Sequence, residues 1–248
     1  MKTIWLFLKN DLRNNLGQVG WEILIVLIGG CLFYLGLVRG IELAQPQQLL
    51  PTPAAFLSIG ILVMVSFLFA LIIAQATMIH HFTSGQVNNI RAANLTVSQY
   101  YVGISLIILV ESLVVMFLLT ALFSLLGEWH FRFVQILIFW LILVFGLYLA
   151  IQMGLLLSAI SNLRLQVGFT FLIILPLLLL SSVTTPIYLW QRGLAIFTSI
   201  LPTTSLVINC RAILLENKAN SLSLIYLLLL NTVVLVFGIF IYKRKLLR

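Results

Sequence analysis

Residues 54–126 read AAFLSIGILVMVSFLFALIIAQATMI (54–79), HHFTSGQVNNIRAANLTVSQY (80–100) and YVGISLIILVESLVVMFLLTALFSLL (101–126). Two long apolar runs flank one polar stretch. Each run exceeds the ~20 residues a helix needs to cross a bilayer, so the pair reads as two membrane spans joined by a polar connection. Within that connection, Thr83 with Gln86 and Thr96 with Gln99 fit the Ser/Thr-x-x-Gln pattern that opens a helix. In that pattern the hydroxyl takes an orphan backbone N–H and the longer side chain reaches back. The spacing predicts a short helix after Thr83, a break near Asn94, and a new helix from Val97.

The composition agrees. Of 248 residues, 62% are hydrophobic and 8% charged, and the mean hydropathy is +1.18. A soluble domain carries about 25% charged residues, so the chain is expected to be an integral membrane protein. The net charge of +8 points to lipid headgroups and cytoplasmic loops, not nucleic acid. Cys31 and Cys210 show neither metal spacing nor pairing and read as small semi-apolar residues. The amino-terminal residues MKTIWLFLKNDLRNN are too short in their apolar part, and too broken by Lys9, for a secretory leader.

Further spans follow on both sides. At 100° per residue Ile4, Trp5, Leu8, Leu12, Leu16 and Val19 share one arc, with Lys2, Lys9 and Arg13 elsewhere. Residues 1–20 therefore read as a helix lying in the headgroup plane. A first span is expected from Trp21 to Val38, its uncharged core slightly short, with Glu22 at the interface. The second is Ala54–Ile79 and the third Tyr101–Leu126, interrupted by Glu111. A fourth runs from Phe133 to Ile160, a fifth from Val167 to about Val183 across Pro176, and a sixth from Leu222 to Tyr242. Between the last two, residues 184–220 hold two apolar runs, 187–200 and 203–215, split by Pro202. Each is too short to cross, and together they read as a hairpin re-entering the membrane.

Lys2, Lys9, Arg13, Arg91, Arg164, Lys243, Arg244, Lys245 and Arg248 fall on the side of the termini and the 80–100 stretch. Arg39, Arg132, Arg192, Arg211 and Lys218 fall on the other. That excess places both termini and the 80–100 stretch in the cytoplasm. The expected fold is thus all-α: six transmembrane helices in a single domain over residues 1–248, with an outer hairpin before the last.

No chemistry of its own is written in the chain. There is no phosphate-binding Gly-x-x-x-x-Gly-Lys-Ser/Thr loop, no His-Glu-x-x-His helix and no Gly-x-Ser-x-Gly elbow. His80 and His81 are adjacent, so they cannot present two ligands on one helix face, and they read as membrane-surface residues. Glu111 is the one ionisable residue deep in a span. It reads either as a contact for a cationic cargo or proton, or as a packing residue bonded to Gln152 or Gln75. No repeat relates the two halves, which counts against a secondary transporter.

Three stretches carry a resemblance. Ser84-Gly85-Gln86 through Asn94-Leu95-Thr96-Val97-Ser98-Gln99-Tyr100 is similar to the cytoplasmic segment of type 2 ABC-transporter permeases, with Val97 where that family often has Pro and Arg91 as the sole formal charge. Gly154–Ala159 before Asn162 and Arg164 resembles that family's fourth-to-fifth connection. Pro186, then Leu201-Pro202-Thr203-Thr204-Ser205 and Cys210-Arg211-Ala212-Ile213-Leu214, resembles its outer hairpin. The resemblance spans nearly the whole chain through degenerate motifs. It implies a permease subunit of an ATP-driven exporter, inserting a coupling helix (Ser84, Gly85, Gln86, Asn89, Ile90 and Arg91) into a separate ABC ATPase. It also implies a second permease copy or a paralogue. ATP and Mg would be held by the partner, with no cofactor in this chain. Glu111, Gln152, Pro186, Pro202 and Arg211 are the candidates for the pathway or its packing. The scarcity of polar residues points to a hydrophobic or amphipathic cargo: a drug, an antimicrobial peptide or a lipid-linked molecule. Polysaccharide export and a non-transporting assembly or regulatory role are the alternatives.

Overall fold

The computed structural model describes residues 24–32, 35–36, 53–85, 96–126, 131–160, 162–181, 183, 192–216, 218 and 221–247. They are all helical or connecting, with no strand among the described residues. Residues 24–32 and 35–36 are helical. Seven further helices follow: α1 (Pro53–Thr83), α2 (Val97–Leu126), α3 (Phe133–Ser158), α4 (Leu163–Leu180), α5 (Arg192–Ile200), α6 (Pro202–Glu216) and α7 (Ser221–Leu247).

The apolar runs set these helices, and short polar devices set their ends. Thr96 and Gln99 form the expected reciprocal cap of α2: the Thr96 N–H donates to Gln99 Oε1 at 3.0 Å and the Gln99 N–H to Thr96 Oγ1 at 3.3 Å. Asn162 caps α4 through Oδ1, which accepts from the Arg164 and Leu165 amides. Pro202 opens α6, where its missing N–H costs nothing. Thr83 ends α1, and its hydroxyl bonds back to the Ile79 and His80 carbonyls; the short helix expected after it lies outside the described residues. Gly85, at φ 72°, then turns the chain away, as a glycine beyond a helix end does.

α1 is the central helix. Of its most apolar window 78% is buried, against 17% for α7, and it packs most extensively on α3, then on α2 and α6. Close approach to α3 is possible because Gly154 has no side chain: a Cβ there would overlap the Leu71 carbonyl and the Ala74 methyl. Ile59, Ile61, Leu62, Phe67 and Leu71 of α1 meet Ile104, Met116, Phe123, Leu147 and Leu155 in one continuous core. The outward faces carry exposed apolar side chains such as Phe117, Leu141, Phe171, Leu172 and Val233. This surface is suited to lipid, where every backbone polar group must be satisfied within the helices.

The chain is therefore an all-helical membrane protein. Four helices (α1, α2, α3 and α7) are long and apolar enough to cross a bilayer, or five if α5 and α6 count as one broken span. The six-span expectation is not met among the described residues. α4 has only 18 residues, with Pro176 inside it, and falls short of the ~20 that a crossing requires. The first expected span is described only in part, and the 1–20 helix lies outside the described residues. α5 and α6 break at Leu201 with a bend of 88°, at the proline where the sequence places it.

Candidate functional site

The end of the bundle from which the 80–100 stretch hangs is tied together by side chains from four helices. On α1, His81 is fully buried, and its Nδ1 shares a 2.8 Å hydrogen bond with the Tyr100 hydroxyl of α2. This corrects the surface placement of both histidines: only His80 is exposed. Next along α2, the Tyr101 ring packs 5.0 Å from that of Tyr242 on α7, and Phe82 of α1 stacks on Tyr242 from another side at 6.1 Å. The end of α1 and the start of α2, which flank the 86–95 segment, are thus both held to α7.

α7 in turn caps α3. The Ala159 N–H turns to the Leu156 carbonyl, so the Leu155 carbonyl is served by hydroxyls. Tyr242 Oη lies 2.8 Å from it, Ser158 Oγ 2.6 Å from it, and the two hydroxyls lie 2.6 Å apart. Two protons serve three contacts, so one hydroxyl donates to the carbonyl and the other to its neighbour. One turn further, Lys245 Nζ donates to the Ala159 carbonyl at 3.0 Å and the Ser158 carbonyl at 3.4 Å, and sits 4.0 Å from the Phe82 ring centroid. A cation on a helix's last carbonyls complements its dipole. Carboxyl ends of α1, α3 and α7 and the start of α2 therefore share one end, as the sequence placed them.

The opposite end is built around Arg211. It is 7% exposed on α6, donates to the Phe56 carbonyl from Nε at 3.1 Å and Nη2 at 2.9 Å, and also donates to the Val183 carbonyl. Its guanidinium lies 3.4 Å from the Phe56 ring centroid. Gly60, one turn below Phe56, leaves it the room, since a Cβ there would strike the guanidinium and the Val183 carbonyl. Gln135 donates to the Ile213 carbonyl at 3.3 Å, and Asn209 to Ser223 Oγ at 2.6 Å. Arg211 thus joins α6 to the start of α1, a packing role.

Of the other sequence candidates, Ser84 and Gly85 form the turn closing α1; Gln86, Asn89, Ile90, Arg91 and Pro186 lie outside the described residues. Pro202 is the first residue of α6. Glu111 is partly buried and engaged, but not by the amides expected. Gln75 is bonded to Thr170 of α4 at 2.9 Å, and Gln152, fully buried, has no hydrogen-bond partner among the described residues. The sequence reading missed Tyr242, Ser158, Lys245 and Phe82. The signal available was a lysine in the last turn of the final span beside a tyrosine, a pair able to cap a neighbouring helix.

An apolar cavity of about 480 Å³ lies between residues 25–30 and α1, lined among others by Ile25, Gly29, Gly30, Leu68 and Ile72. No group of His, Cys, Asp and Glu able to hold a metal occurs among the described residues. No protein-family model and no curated protein matches the chain.

Proposed function

We propose that the chain is the permease subunit of an ATP-driven ABC exporter. In this reading residues 80–100 are the coupling element, which docks into a separate ABC ATPase through Ser84, Gly85, Gln86, Asn89, Ile90 and Arg91. The observation that carries it is the four-helix clamp: a push on the 86–95 segment reaches α3 and α7 through His81–Tyr100, Phe82–Tyr242 and Lys245. A loop that merely joined two spans would need no such anchorage. The chain has no nucleotide-binding loop of its own, so ATP and Mg sit in the partner, and the permease changes state because the partner binds its states unequally. A second copy or a paralogue completes the pathway. Both termini lie in the cytoplasm, and α5 with α6 forms the outer re-entrant hairpin of the cytoplasmic membrane protein. The cavity beside residues 25–30, lined almost wholly by apolar atoms, favours a hydrophobic or amphipathic cargo over a polysaccharide.

The test is a mild-detergent pull-down of the tagged chain, alongside the paired substitution Asn89→Asp/Arg91→Glu. Co-purification of a Walker-type ATPase with the wild type, and its loss from the variant, is expected. An ATPase bound equally by both, or none at all, overturns the coupling assignment and favours a non-transporting assembly or regulatory subunit.

A further inference from the structure

We propose that Tyr101 of α2 and Gln152 of α3, meeting at Gly238 of α7, form a buried water-binding site inside the membrane-spanning bundle. Three hydrogen bonds fix the register of α3 and α7: Asn231 to the Phe145 carbonyl, Tyr242 to the Leu155 carbonyl and Lys245 to the Ala159 carbonyl. They set the two helices side by side, running in the same direction with an offset of 86 or 87 residues, and that offset brings Gln152 level with Gly238 and Ile239. Gln152 follows Phe145, and Gly238 follows Asn231, by one heptad, two helical turns, so both stay on the shared seam. From the third helix, the Tyr101 hydroxyl rests against Gly238, where a Cβ would overlap it.

Tyr101 and Gln152 are each 0% exposed. The Tyr101 hydroxyl and both polar atoms of the Gln152 carboxamide hydrogen-bond to nothing among the described residues. Asn231 Oδ1, one heptad along the same seam, is likewise buried and unbonded. An unmet buried polar group costs about 1–3 kcal/mol, and lipid offers no alternative partner. The register puts the two side chains at one level, yet they do not hydrogen-bond each other. The ligand that fits must both donate, to the Gln152 carbonyl oxygen, and accept, from the Gln152 amide or the Tyr101 hydroxyl. It must also be neutral, because α2, α3 and α7 up to Tyr242 carry no Asp, Glu, Lys or Arg other than Glu111, which stands almost three turns along α2. Water meets each condition and makes about three hydrogen bonds in such sites. The inference rests on the bundle alone and does not require the transport reading.

Radiolytic hydroxyl labelling of the wild-type protein in detergent tests it directly. Hydroxyl radicals formed from bound water oxidise the nearest ring, so Tyr101 should be modified several-fold faster than Tyr242. Tyr242 is equally buried, but its hydroxyl is bonded to protein, and it serves as the internal reference. Equal inertness of the two rings overturns the site. Thermal midpoints of Tyr101→Phe, Gln152→Met and the double variant give the second readout. Each single change should lower the midpoint and the double should fall no further than the worse single, because either removes the shared water. A Tyr101→Phe protein more stable than wild type, or additive losses, would mean two independent unmet groups and no site.

Discussion

Substituting Tyr242 separates the two ways in which α7 grips the loop-bearing end. Tyr242→Phe keeps the ring, and so keeps the contacts with Tyr101 at 5.0 Å and Phe82 at 6.1 Å. It removes one proton and one oxygen from the node at Leu155. Ser158 Oγ already lies 2.6 Å from that carbonyl and takes it alone, so the net loss is one hydrogen bond. Such bonds between membrane helices are worth about 0.6 kcal/mol on average and up to about 1.7, which sets the expected cost near 1 kcal/mol. At about 2–4 °C per kcal/mol for a chain of this size, the midpoint should fall by a few degrees. Tyr242→Ala also empties a fully buried ring site. Aromatic-to-alanine changes cost about 3–5 kcal/mol in cores, and the lower end applies here because the helices remain in lipid. Unfolding can be followed with a thiol-reactive dye, since Cys210 is fully buried in the folded bundle. The alanine variant should lose several times what the phenylalanine variant loses. If the two lose equally, the hydroxyl node and not the aromatic stack is the joint. If alanine is tolerated, α7 does not hold the loop ends.

Two further outcomes follow from the caps and the close contacts. Gly60→Ala should destabilise by about 1–3 kcal/mol, because the new methyl displaces Arg211 and crowds the Val183 carbonyl. Adding Arg211→Ala should recover part of that loss, and a double variant no better than Gly60→Ala alone would place the strain elsewhere. Thr96→Ala should cost about 1 kcal/mol and show as faster hydrogen exchange of the Gln99 amide, with α3 unaffected; unchanged exchange would deny the cap a role in starting α2.

How much was legible in advance varied with the range of the interaction. The pattern Thr96-x-x-Gln99 caps α2 through bonds confined to four residues, and local spacing was enough to read it. The end of α1 was not so legible: the helix runs past the apolar stretch to Thr83, with His81 buried and bonded to Tyr100, and Gly85 turns the chain away. Glu111 had two plausible amide partners by composition, yet one of them, Gln75, is claimed by Thr170 and the other, Gln152, is buried and bonded to nothing among the described residues. Neither choice can be made without the register of the helices. The fifth apolar run looked long enough to cross, but α4 starts at the Asn162 cap and, with Pro176 inside it, remains short.

The sequence by itself determined that this is a helical membrane protein, where most of its helices begin and end, and where α5 breaks from α6. Hydropathy, caps and prolines act over a few residues, and lipid leaves helices as the only way for such segments to satisfy their backbones. Only the tertiary structure decided which end-groups meet. Tyr242 caps α3, Arg211 reaches the Phe56 carbonyl across Gly60, and the Tyr101 hydroxyl rests on Gly238. Each joins residues far apart in the chain through the register and rotation of packed helices. Those are set by the sum of many small contacts, chiefly where Gly154 lets α1 and α3 close together, and no local pattern records that sum.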